Sequence, residues 1–177
     1  MEDDAAVIRR IIRKRRSVRS GYTGEPIPED VMRLIIEAGV HAPTGSNSQD
    51  VRFRILGPDF AKVRPGMSLK ASAFILVLHR PQKNFWRKLA YQDAAAAIQN
   101  MALMATAHAV SSCWFSAYQE MNSTRRMNGH AWDEFIGDLD GMEPFGILQV
   151  GYSIRPEGDE RHRGRPVARG LVENYLL

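Results

Sequence analysis

Residues 5–14 place Val7, Ile8, Ile11 and Ile12 at i, i+1, i+4 and i+5, the spacing of one helix face, and arginines fill the other. Pro26-Ile27-Pro28 then stops the chain and restarts it. Pro28 suits the first turn of a second helix, and Glu29 and Asp30 are favourable near its positive end. Val31, Leu34, Ile35 and Ala38 form its expected buried stripe, with Gly39 as terminator. Residues 43–49, PTGSNSQ, are a polar loop of turn-forming residues. Residues 51–55 alternate apolar and charged, as a half-buried strand does. Residues 73–78 are continuously apolar and predict a fully buried strand.

Residues 88–109 contain no glycine or proline and are rich in alanine, leucine and methionine, which predicts a long helix. It is apolar nearly all round, with Gln92, Asp93, Gln99 and Asn100 as the exceptions. Such a helix must be covered on every side, so it is either central to the fold or packed in a homodimer interface. The alanine run permits close approach. Residues 112–118 and 146–152 read as further strands. Residues 122–140 read as a short helix with a turn at Asn128-Gly129. The tail, Leu171 to Leu177, ends in apolar residues and is a candidate to add itself to a partner subunit.

Length and composition fit a single domain over residues 1–177: 44% hydrophobic and 25% charged residues are a globular balance. No uninterrupted apolar run reaches the length of about eighteen residues that suggests a membrane span, and the N-terminus has no secretory pattern. The single cysteine, Cys113, excludes an internal disulfide and a cysteine-based metal site. Beside Trp114 it reads as a small buried side chain rather than a nucleophile. These features point to a soluble protein of a reducing cytoplasm.

The net charge is +4, and its distribution matters more than its size. Residues 9–19 hold Arg9, Arg10, Arg13, Lys14, Arg15, Arg16 and Arg19 without an acid. A second cluster comprises Arg155, Arg161, His162, Arg163, Arg165 and Arg169. The two could converge on one anion, or both could be solvated faces. No dinucleotide-binding glycine motif, phosphate-binding loop, zinc-protease motif or serine-hydrolase motif is present. His41, His79, His108, His130 and His162 show no ligand spacing. With no acid–base or nucleophile constellation, any chemistry is expected to be carried by a cofactor.

Arg15-Arg-Ser-Val-Arg19, then Gly21-Tyr22, Pro26-Ile27-Pro28, Ile36-Glu-Ala-Gly39 and Ala42-Pro-Thr-Gly-Ser-Asn-Ser-Gln49 form a succession that resembles the start of the nitroreductase family of FMN enzymes. Asp93-Ala-Ala-Ala-Ala-Ile-Gln-Asn100 resembles that family's central helix. Ser112-Cys-Trp-Phe-Ser-Ala-Tyr118 resembles the following strand, and Leu148-Gln-Val-Gly-Tyr152 with the basic segment after it resembles the closing portion. The resemblance implies an α+β fold. This would be a three-layer α/β/α sandwich with a mixed, mainly antiparallel sheet flanked by helices and a long central helix at a dimer interface. It also implies FMN bound between two copies of the chain, with NAD(P)H as electron donor. A small electron-poor molecule (nitroaromatic, quinone or enone) would be the acceptor, in a ping-pong cycle through flavin N5.

By the same resemblance, Arg15, Arg16 and Ser17 lie at the phosphate and ribityl end of FMN. Arg163 and Arg165 close on the phosphate from the C-terminal side. Arg19 is the cation beside the flavin's N1 and C2 carbonyl, where it would stabilise reduced flavin. Pro43, Thr44, Gly45 and Asn47 match the loop that reaches the flavin from the partner subunit. Phe115, Ser116 and Ala117 match the strand end against the isoalloxazine ring, and Arg64 and Lys70 are candidates for a polar residue near it. The chain departs from the family at Gln49-Asp50-Val51, where Gln-Pro-Trp is common, and in the compact segment between Tyr118 and Gly146. These departures keep open a specialised flavoenzyme with one dedicated substrate. A nucleic-acid-binding protein using the basic N-terminal helix would account for the charge, but not for the PTGSNSQ loop or the absence of aromatics among the arginines.

Overall fold

The computed structural model describes residues 3–63, 66–82, 84–117, 126–127, 130–131, 133–154, 161–162 and 165–166. Helices α1 (Asp4–Lys14) and α2 (Glu29–Val40) precede strands β1 (Val51–Leu56) and β2 (Ala73–His79). The long helix α3 (Asn84–Ala107) leads into β3 (Ser111–Ser116). Short elements follow, β4 (Arg126–Met127), β5 (His130–Ala131) and α4 (Asp133–Ile136). Then come β6 (Glu143–Gly151) and the pair β7 (Arg161–His162) and β8 (Arg165–Pro166). The main sheet has four strands in the order β1-β2-β6-β3, and every neighbouring pair is antiparallel. Ser17 adds an isolated parallel bridge to Ser112 at the β3 edge.

Both faces of the sheet are buried, so β2 and most of β6 are apolar without alternation, as the run of residues 73–78 predicts. One face meets α2 and α3 in a cluster built from Ile35, Ile75, Val77, Ile98, Met101 and Leu148. Ala94, Ala97, Ala102 and Ala105 are buried on α3, and their small side chains let it lie close to its neighbours. The other face carries Phe60, Val63, Phe74, Leu76 and Ile147. Among the described residues this second layer is thin, formed by the 3-10 turn Pro58–Val63, by α4 and by the segment around Tyr22. The fold is thus α+β, with a helical layer on one side and short turns on the other. Among the described residues no helix is long and apolar enough to cross a membrane, and no group of three or more metal-ligating side chains occurs.

Several expectations change in detail. Gly39 does not end α2: it is buried within the helix, where a Cβ would lie 2.9 Å from both Met101 Cγ and Phe53 Cζ. It is a close-packing glycine rather than a terminator. Leu34, expected in the buried stripe, is 38% exposed. Among the described residues of 122–140, β4 and β5 pair antiparallel on either side of residues 128–129, and Asp133–Ile136 is helical. The turn at Asn128-Gly129 and the tail from Leu171 lie outside the described residues.

Candidate cofactor-binding site

The segment after α1 is set by backbone pairing. Helix α1 ends where Arg15 turns extended, at φ −55° and ψ 125°. The Arg16 guanidinium folds back on the carbonyls of Arg13 and Arg15, satisfying groups at the helix C-terminus. Ser17 then bridges Ser112, and the Val18 N–H donates to the Ser112 carbonyl at 2.8 Å. The buried Tyr22 donates its hydroxyl to the Val18 carbonyl at 2.6 Å. The stretch therefore lies along β3, with Arg15 and Arg16 half-buried and Ser17 and Arg19 exposed.

A residue that sequence reasoning missed ties this stretch to a second segment. Gln149 on β6 is fully buried. Its Oε1 accepts the Ser68 N–H at 2.7 Å, and its Nε2 donates to the Arg19 carbonyl at 3.5 Å. A buried amide without partners is costly, and these two bonds supply them. Val18, Met67 and Phe115 pack on the same apolar cluster as Tyr22 and Ala117. Ala117 is buried, and its N–H donates to the Phe145 carbonyl at 3.1 Å. Ser116 is exposed opposite Gly146. Residues 15–19, residues 66–70 and the end of β3 thus converge on the sheet face away from α2 and α3. Lys70 is exposed in that convergence, its N–H on Ser68 Oγ at 3.3 Å.

The loop at residues 43–49 is held elsewhere. Its Gly45 N–H donates to Asp93 Oδ1 on α3 at 3.0 Å. A Cβ on Gly45 would meet Leu89 Cδ1 at 3.0 Å, so the loop sits directly on the helix. Ser46, Asn47 and Gln49 have φ of 54°, 53° and 52°, a left-handed conformation that costs a non-glycine residue about 1 kcal/mol or more. Local bonds shape it: the Gln49 N–H donates to Thr44 Oγ1 at 3.2 Å, and Gln49 Nε2 donates to Asn47 Oδ1 at 3.0 Å. Pro43 and Asn47 are exposed, and Thr44 and Gly45 half-buried. The loop lies on the α2/α3 side of the sheet, so one chain does not bring it together with the basic segment.

The departure at Asp50 has a visible consequence. Asp50 Oδ1 pairs with Arg80 Nε at 3.0 Å, Asp50 Oδ2 accepts from Gln82 Nε2 at 3.3 Å, and the Asp50 carbonyl accepts the Arg80 N–H at 3.2 Å. The loop's exit is thereby fastened to the end of β2. Of the C-terminal arginines, Arg165 lies on β8, paired with β7, whereas Arg163 lies outside the described residues, as do Arg64 and Tyr118. Cys113 is buried. Gln149 did leave a signal as a lone polar residue within an apolar run, and Asp93 as the one acid of the alanine-rich helix.

Comparison with known proteins fits this geometry. The family model described as the nitroreductase family matches residues 12–85. A protein from Desulfovibrio desulfuricans, described as a nitroreductase and solved in complex with FMN, is 25% identical, with a TM-score of 0.71 over 100% of this chain and 97% of that one. A protein from Bacteroides thetaiotaomicron, described as an NADH dehydrogenase/NAD(P)H nitroreductase, aligns with a TM-score of 0.76 at 21% identity, over 99% and 98% of the two chains. A nitroreductase with bound FMN from Bacteroides fragilis gives 0.67 at 24% identity, over 97% and 95%. The search of curated protein sequences gave no match. The chain has the nitroreductase fold, and its residues 12–85 match the sequence model of the nitroreductase family.

Proposed function

We propose that the chain is an FMN-dependent oxidoreductase that takes reducing equivalents from NAD(P)H and passes them to an electron-poor small molecule such as a nitroaromatic, quinone or enone. The observation that carries this reading is the convergence of the Arg15–Arg19 stretch, the residues 66–70 and the end of β3 on one face, joined through Gln149. The groups there suit FMN. Arg15 and Ser17 offer a phosphate a cation and a hydroxyl. Arg19 offers positive charge to the pyrimidine edge of a flavin. Phe115 and Ala117 supply an apolar wall next to the exposed Ser116. FMN, when bound, supplies the hydride-accepting and hydride-donating centre. The chain's residues hold it, set its electrostatic surroundings and orient the substrates.

The reading includes a homodimer. Helix α1 presents Ile8 and Ile12, 58% and 52% exposed, and with Leu34, Leu103 and Met104 they line an open apolar groove of about 480 Å³. Such a patch on an otherwise charged helix is the mark of an interaction surface. The 43–49 loop, held on the helical side, would complete the site of the second copy. The clamp on Asp50 favours a dedicated substrate as a second reading of the same fold, because it replaces a common family feature with a rigid one. Rapid turnover of many unrelated nitro compounds would count against it.

The test is an absorption spectrum from 300 to 600 nm on freshly purified protein, followed by heat release of any chromophore. Two flavin bands and about one FMN per chain are expected. A colourless protein that does not bind added FMN would overturn the proposal.

A further inference from the structure

The 43–49 loop poses a physical problem. Three of its residues, Ser46, Asn47 and Gln49, are non-glycine residues in the left-handed region. That conformation persists only where surrounding structure over-determines it. The bonds inside the loop, from Gln49 to Thr44 and to Asn47, are exposed and compete with water. The contact at the loop's entry is of another kind. Asp93 is 7% exposed on the long helix, and its Oδ1 takes the Gly45 N–H from 48 residues away in sequence. A hydrogen bond in a buried setting is stronger than one that competes with water. Beneath it, a Cβ at position 45 would lie 3.0 Å from Leu89 Cδ1, so the glycine backbone is seated close against α3. At the exit, Asp50 fastens the chain to Arg80 and Gln82. The strained residues hang between these two carboxylates, of which Asp93 is the more buried.

We propose that Asp93 is the positioning residue of this loop, fixing its entry through the Gly45 N–H so that the left-handed residues hold one shape. This rests on the reading of the loop as a cofactor contact. Asp93 itself need touch neither FMN nor substrate. Its effect reaches them through the backbone of Gly45.

The experiment uses the full chain, with FMN as titrant followed by quenching of flavin fluorescence, and hydrogen exchange read at the Gly45 amide. D93A should raise the FMN Kd about tenfold and speed Gly45 exchange at least as much, because a buried bond is lost. D93N, whose side-chain oxygen can still accept the bond, should stay within about threefold of the wild type on both readouts. If D93A does not fold, D93L, which fills the space but accepts no bond, is judged by the same criteria. A removal variant with wild-type Kd and wild-type Gly45 exchange overturns the proposal. Faster exchange with an unchanged Kd overturns the link to the cofactor. If the wild-type chain does not bind FMN, the cofactor reading fails by itself, and Gly45 exchange still decides whether Asp93 anchors the loop.

Discussion

Single side chains hold this molecule's distant segments together. Gln149 joins Ser68, 81 residues away, to Arg19, 130 residues away, from inside the sheet. Replacing it by leucine keeps the volume roughly constant but leaves the Ser68 N–H without its partner in a half-buried setting. Gln149→Leu should lose about 1–3 kcal/mol in urea unfolding. Stability within about 0.5 kcal/mol of the wild type would show that the bridge carries no weight. The sequence exposed Gln149 only as a polar interruption in an apolar strand. Its partners were hidden because a hydrogen bond over such separations depends on how strands are ordered. The same holds for Asp93, visible as an acid among alanines but not as the acceptor of the Gly45 N–H. Arg15, Ser17 and Arg19 were legible as a basic stretch after a helix.

At the level of elements, periodicity was enough to find α1, α2, α3 and the strands of the main sheet. Boundaries moved by a few residues, with α3 running over Asn84–Ala107 instead of residues 88–109. Strand order was not legible, since β6 inserts between β2 and β3 and nothing local encodes that. Gly39 was misjudged for a related reason: glycine serves both helix ends and close packing, and only the approach of α3 distinguishes them. In a solvated helix, alanine in place of glycine would gain about 1 kcal/mol. Here the added Cβ meets Met101, which is fully buried, and Phe53, each at 2.9 Å. Overpacking of this kind costs about 1–3 kcal/mol. Gly39→Ala should therefore lower the Tm by a few degrees despite the better helix former. A raised Tm would mean that α2 and α3 separate without cost.

At the scale of the whole molecule, the described residues leave an apolar groove open between α1, α2 and α3. The sequence announced the apolar face of α1 correctly, yet within one chain no residue of that helix is buried. Ile12→Glu combined with Leu34→Asp places two charges in the groove, where burial against a second copy would desolvate them. Sedimentation velocity should show a dimer for the wild type and a monomer for the double variant at tens of micromolar. A monomeric wild type would overturn the homodimer and leave the 43–49 loop with no second copy to reach. The separation of that loop from the Arg15–Arg19 stretch, on opposite faces of one sheet, also bears on inheritance. In the proposed dimer each site is assembled from two translations of the same gene. A chain damaged in its loop still offers an intact basic face, and one damaged in its basic face still offers an intact loop. When two such defective alleles share a cell, their mixed dimers regain one complete site in two, so each lesion is partly masked by the other.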